Sequence, residues 1–347
     1  MFFQGNLPAS VTLATAFSDL VGLLTGSITT VGGLGLAWTS TTLVTDTAAG
    51  WTNYDAAAGS AANGVTPCVL RAAWSDDGAK YKNVYINSPA AGVLGFEGYD
   101  TWNSATHTGT NRCVTGGVTT VNIPGAVSMT ALNTITMSAS SKHIYIELSN
   151  GQVANTLAHF ILSEFSRDDP WNTVANGYPA WLTYGFANNV NTQCQTYLCR
   201  WLNPTTGVPQ TSLAINSGAT GSVPGFAWSP SIGCQVSGLP SLSANGGIIS
   251  LALLNNTSTA PGASTQGLDT TLTGAKYIFG LCMRVGLPAS CATGPQSLFG
   301  DLSAATGMLY CCSYTVGNTN DEVTVGAVTY HLRGNTGNNS KIALKKS

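Results

Sequence analysis

The sequence predicts a mainly β protein of β-sandwich type, with a short apolar N-terminal arm or helix and long loops. Two observations carry that prediction. Short runs of apolar and β-branched residues recur along the 347 residues and are cut by turn residues, among 40 glycines and 14 prolines. Many short strands with frequent turns mark sandwiches and barrels. Period-two alternation is explicit in His143-Ile144-Tyr145-Ile146-Glu147-Leu148, which places Ile144, Ile146 and Leu148 on one face and points Glu147 away from the core.

Residues 1–34 read as an apolar N-terminal arm. Within it Leu13, Phe17, Leu20, Val21 and Leu24 fall at helical spacing, so a short helix is expected over Leu13–Leu24. Residues 35–347 read as one or two β-rich domains. Strands are expected at Leu36–Val44, Cys68–Trp74, Lys82–Ile86, Val93–Tyr99, Val118–Ile123, Ile144–Leu148 and Ala158–Phe165. Asp77-Gly78, between Arg71–Trp74 and Tyr81–Ile86, is a hairpin signal. Residues 201–247 hold Pro204, Pro209, Pro224, Pro230 and Pro240 and read as a long loop excursion. Loops of that length are usually functional or interface-forming. Strand signals resume at Ile248–Leu254, Lys276–Val285, Met308–Val316, Glu322–Leu332 and Ile342–Lys345.

Charge is the unusual quantity. Asp, Glu, Lys and Arg make up 8% of the chain, against about 25% in ordinary soluble domains. Thr, Ser, Asn, Gly and Ala take their place. A chain without a mixed charged surface often hides that surface against neighbours, because interface cores are depleted in charge. The net charge of −2 and the 13 scattered Lys and Arg argue against nucleic acid as a partner. Leu20–Thr45 carries no charge, yet its many Gly and Thr dilute it, and no membrane span is expected.

The first cation is Arg71, so no export signal with a positive n-region is read, and synthesis in a reducing cytoplasm is expected. There the nine cysteines would stay as buried thiols. An odd count leaves at least one free or paired with another chain. Oxidation after release from the cell stays open.

No catalytic residue, cofactor site or metal site is expected. His-Glu-x-x-His, Cys-x-x-Cys, Gly-x-Ser-x-Gly and the phosphate-cradling Gly-rich loop are all absent. His143 and His159 are candidates to face each other on adjacent strands, with ordinary strand positions as the plainer reading. Glu164, Arg167, Asp168, Asp169 and Trp171 form the densest polar and aromatic cluster of the chain. A carboxylate and an Arg lining a sugar cleft is one reading of it. The other is a turn after a strand, held by a bidentate pair between Arg167 and Glu164 or a neighbouring Asp, and anchored by Pro170-Trp171. Trp102 is the second aromatic candidate, for an interface or a glycan.

Two stretches resemble virion structural proteins of tailed bacteriophages and prophages. One is Gly98-Tyr99-Asp100-Thr101-Trp102-Asn103-Ser104-Ala105-Thr106-His107-Thr108-Gly109-Thr110-Asn111. The other runs from Phe160 through Glu164-Phe165-Ser166-Arg167-Asp168-Asp169-Pro170-Trp171-Asn172-Thr173 to Gly177-Tyr178-Pro179. The resemblance implies a non-catalytic, self-assembling particle component made in the host bacterial cytoplasm and localised to the virion. Its partners would be copies of itself and other virion proteins. The tail, baseplate or fibre attachment is the expected place, with head decoration as the alternative. Strands would supply a rigid frame, while the arm at 1–34 and the loop at 201–247 reach neighbours. A polysaccharide-active or carbohydrate-binding protein, meeting a host-surface glycan, is the rival class.

Overall fold

Thirteen residues, Leu13–Thr25, form the one α-helix among the described residues, α1. The computed structural model describes residues 1–8, 12–35, 38–45, 48–75, 78–99, 101–110, 134–149, 322–333 and 340–347, with strand segments between 126 and 313. The strands of the first half are β1 (Phe2–Asn6), β2 (Thr39–Val44), β3 (Thr52–Asp55), β4 (Cys68–Ala73), β5 (Tyr81–Asn87) and β6 (Val93–Tyr99). They are followed by β7 (Thr101–Asn103), β8 (Thr108–Thr110), β9 (Ala126–Ser128), β10 (Thr134–Ser140), β11 (His143–Ser149) and β12 (Leu157–Glu164). All the strand pairs are antiparallel, and the protein is mainly β, as the sequence predicts.

One sheet has the order β3-β4-β5-β6-β9. A larger one ends in β12-β11-β10-β1-β2, with β2 at its edge. Beyond β12 the larger sheet continues through Trp181–Gly185, Gln195–Cys199, Leu213–Ser217, Gly233–Val236, Gly247–Ala252, Cys282–Gly286 and Ser297–Asp301 to Ser166–Arg167. A third sheet joins Lys276–Gly280, Leu309–Ser313, Ser340–Lys345, Val328–Arg333 and Glu322–Val325.

Alternation decides what faces the core. Cys68, Leu70, Ala72 and Trp74 from β4 and its end, Val84 and Ile86 from β5, and Leu94 and Phe96 from β6 meet one cluster. The larger sheet adds Phe3, Ile135, Met137, Ala139, Ile144, Ile146 and Leu162 to that cluster. Ala16, Leu20, Leu23 and Leu24 of α1 close it, at the spacing that puts them on one helical face. Thr12 caps the helix by accepting from the Thr15 N–H at 3.3 Å. Gly26 ends it at φ 72°, a left-handed conformation that costs a glycine nothing.

Several expectations change. Residues 1–34 are not a projecting arm in the structure: β1 lies between β10 and β2, and Phe2 and Phe3 are buried. Phe2-Phe3-Gln4-Gly5-Asn6 has no alternation of apolar and polar residues to mark it as a strand, and its pairing comes from β10 and β2. Glu147 does not point to solvent. It is fully buried on the opposite face of β11 and accepts from the Tyr145 hydroxyl at 2.7 Å. The alternation was read correctly, but both faces of this strand are covered. Lys276–Val285 is two strands, Lys276–Gly280 and Cys282–Gly286, in different sheets. Glu322–Leu332 is a hairpin that reverses at Gly326-Ala327. The excursion at 201–247 contains strands at Leu213–Ser217 and Gly233–Val236. The hairpin after β4 is present, with Ala73 opposite Tyr81. The expected strand Val118–Ile123 lies outside the described residues.

Candidate functional site

Glu164 stands at the end of β12 on the same face as Leu162, and therefore points between the sheets. Its carboxylate forms an ion pair with Lys82 of β5, both side chains being essentially inaccessible. It also accepts from the Ser75 backbone N–H at 3.1 Å and from the Ser75 hydroxyl. Lys82 donates in addition to the Ala73 carbonyl and lies 5.1 Å from the centroid of the Trp74 ring. This is an internal strut joining two sheets. A carboxylate held this way has no open face for a substrate. Arg167 lies on a two-residue strand opposite Gly300. Asp168, Asp169 and Trp171 lie outside the described residues, as does the Asp76-Asp77 doublet.

Trp102 lies on β7, which pairs with β8 and folds over the outer face of the five-stranded sheet. Its indole stacks on Tyr85 with centroids 5.6 Å apart and meets Tyr99 edge-on at 5.1 Å. Its Nε1–H donates to Asp55 Oδ2 at 2.9 Å. Gly109 backs it: a Cβ there would come within 2.8 Å of Trp102 Cε3 and 2.2 Å of Tyr99 Cδ1. Trp102 is therefore a clamp for the β7–β8 hairpin, with one ring face covered by Tyr85. His107, at φ 54°, brings Nδ1 to 2.9 Å from the same Asp55 oxygen. Burial alone would raise the Asp55 carboxyl, but hydrogen bonds from Trp102, His107 and the Ala57 N–H outweigh it and hold the pKa below its usual value. Beside this clamp Arg71 lies between two rings, 3.8 Å from the Tyr54 centroid and 4.2 Å from that of Tyr81.

The two histidines singled out on adjacent strands do not face each other. Register places His143 opposite Ser163 and Glu147 opposite His159. His143 is buried, with Nε2 3.1 Å from Ser138 Oγ and Nδ1 2.9 Å from Ser140 Oγ. Burial, with the charge of the chain's amino terminus, pushes its pKa down to about 3.

The feature that sequence reasoning passed over is a surface. Asp19 is the only charged side chain between residues 1 and 45, and it is buried. It accepts from the Gly35 N–H at 2.8 Å and from Trp38 Nε1–H at 3.0 Å, tying α1 to the chain that enters β2. Trp38 in turn meets Phe3 edge-on at 5.3 Å. Every described residue that this region exposes to solvent is neutral. Thr12, Ala14 and Ser18 of the helix, Thr29, Thr30 and Val31 of the turn, and Thr39 and Ser40 of β2 are all exposed. Among the described residues, the exposed positions of helix, turn and edge strand carry no ionic group. The missing cations of the first 70 residues were legible beforehand; that the one Asp turns inward was not.

No protein-family profile and no curated protein matches the chain. Among the described residues, no helix is long and apolar enough to cross a membrane, and no group of three or more His, Cys, Asp or Glu is placed to hold a metal ion.

Proposed function

We propose that this chain is a non-enzymatic structural subunit that works as one of many copies in a larger assembly, in the tail apparatus of a tailed-bacteriophage particle. The observation that carries the assembly reading is the uncharged surface of α1, the turn after it and β2. Charged groups keep proteins apart in water, and interfaces are depleted in them at their centre. A neutral face rich in Thr, Ser, Gly and Ala desolvates at little electrostatic cost and lets backbones approach closely. The phage assignment is supported by the resemblance of residues 98–111 and 160–179 to virion proteins. The commitment of Glu164 to an internal ion pair supports a non-catalytic role for the cluster around it.

The test is the oligomeric state of the purified chain. Light scattering after size exclusion and negative-stain images should show rings or larger symmetric sets. A monodisperse monomer at high protein concentration overturns the assembly reading. Detection of this polypeptide in purified phage particles by mass spectrometry decides the location.

A second reading has its own observation. Arg71 sandwiched by Tyr54 and the exposed Tyr81 leaves an aromatic surface on the outer face of the five-stranded sheet. If the subunit meets a host-surface glycan, that stack, and not Trp102, would receive it. A glycan array with wild type and Tyr81→Ala tests this: retained binding by the variant rejects the location.

A further inference from the structure

We infer that β2 is the self-association edge of this protein, pairing antiparallel with β2 of a second copy across a two-fold axis so that the larger sheet runs on from one subunit into the next. This rests on the assembly reading above and names its contact.

Three observations converge on β2. It is the last strand of the larger sheet, and among the described residues only β1 pairs with it. An unpaired strand presents a row of N–H and C=O groups, and proteins that remain monomeric guard such rows with Lys, Pro or inward-pointing charges. Thr39-Ser40-Thr41-Thr42-Leu43-Val44 contains none of these. Second, the guard that is present covers only part of the strand. Ser40 sits at φ 50° where the pairing with β1 slips between Gln4 and Asn6, a bulge that takes Ser40 and Thr41 out of the ladder while Thr39 stays opposite Asn6. Thr42–Val44 remains in register with Phe2–Gln4 and is the regular stretch left open. Third, the surface flanking the strand is the neutral one, from Thr29 to Gly35, with Val31 45% exposed.

These observations also select the occupant. A strand edge is chemically self-complementary, because every second residue points one donor and one acceptor outward. Antiparallel pairing of a strand with itself is the isologous arrangement that closes a two-fold dimer. A surface without charge meets its own copy without repulsion, whereas it offers an ionic partner nothing to pair with. Hydroxyls on Thr39 and Thr42 donate and accept equally, so the same face can bond to itself.

Hydrogen exchange on the assembled wild-type chain, compared with the chain diluted until it dissociates, reads the contact directly. The outward-pointing amides within Thr41–Val44 should exchange about tenfold slower or more in the assembled form. Thr42→Lys adds the natural edge guard. It should lower the assembly state by at least one dimerisation step, with far-UV circular dichroism unchanged. Should that variant fold poorly, Thr30→Lys, in the exposed turn beside the strand, gives a second perturbation, and exchange on the wild type still decides. If the wild type assembles while Thr41–Val44 exchanges freely and Thr42→Lys assembles equally well, the β2 contact is overturned and the assembly reading survives. If the wild type is a monomer at every concentration, both fall. Protection of Thr41–Val44 that arises only when a different virion protein is added overturns the second copy as occupant.

Discussion

Lys82 and Glu164 form a buried ion pair between the two sheets, one residue from β5 and the other from β12, separated by 82 positions in the chain. Removing one member leaves the other charged in an apolar interior, which costs about 3–5 kcal/mol. Glu164→Gln and Lys82→Met should each lose stability of that order in urea denaturation. The double replacement Lys82→Met with Glu164→Leu should recover most of it, because an apolar pair of similar volume needs no compensation. A double variant as unstable as the sum of the singles would show that the pair does not act as a unit.

His143 should make the protein acid-labile in a defined window. Its folded pKa is about 3, against 6.5 for the ordinary group. Below pH 6.5 the unfolded chain binds a proton that the folded chain refuses. The stability contribution is therefore complete above pH 6.5 and is lost as pH falls toward 3. The slope is at most about 1.4 kcal/mol per pH unit for one histidine. His331, depressed to about 4 by burial, adds to the upper part of the same window. Denaturation midpoints measured between pH 7 and pH 5 (above the ordinary carboxylate range) should fall in wild type and fall less steeply in His143→Gln.

Gly109 should be intolerant of any side chain. A Cβ there would stand 2.2 Å from Tyr99 and 2.8 Å from Trp102, both held by their packing on Tyr85. Gly109→Ala should cost about 1–3 kcal/mol through displacement of the β7–β8 hairpin. It should also free the Trp102 indole from Asp55, visible as a red shift of its fluorescence. Gly32→Ala, where no atom lies within 4 Å of the added carbon, is the matched control and should change little.

Asp19→Ala removes an acceptor from two donors, the Gly35 N–H and Trp38 Nε1–H. Both donors are only partly buried, so water replaces part of what is lost and the cost should be about 1 kcal/mol in all. The loss should be local before it is global: hydrogen exchange should quicken first over 28–44, the turn and β2, while β4, β5 and β6 keep their protection. Uniform acceleration across all of these strands would show that Asp19 supports the core and not the edge.

How much was legible beforehand differs by element. The helix was readable because its apolar residues recur every three to four positions; its caps, Thr12 and Gly26, came only from the structure. The strand His143–Ser149 was readable because its apolar residues alternate. Phe2–Asn6 was not, since Phe2-Phe3-Gln4-Gly5-Asn6 carries no period of two. Glu147 was misplaced for a different reason: alternation assigns a side chain to a face, and only the packed fold decides whether that face meets water. The same holds for Trp102, which sequence placed in a loop and the fold turns into a clamp.

Composition alone determined the class of the molecule. The chain had enough apolar residues for a core, and turn residues frequent enough to keep strands short. Tertiary structure decided what those residues do, because pairing and burial join positions far apart in sequence. It brought Lys82 to Glu164, turned Asp19 inward, and left β2 at the rim of a sheet with no charge to guard it. Local periodicity comes from adjacent residues, whereas the partner of a buried charge or of an edge strand comes from whichever distant segment the fold sets against it.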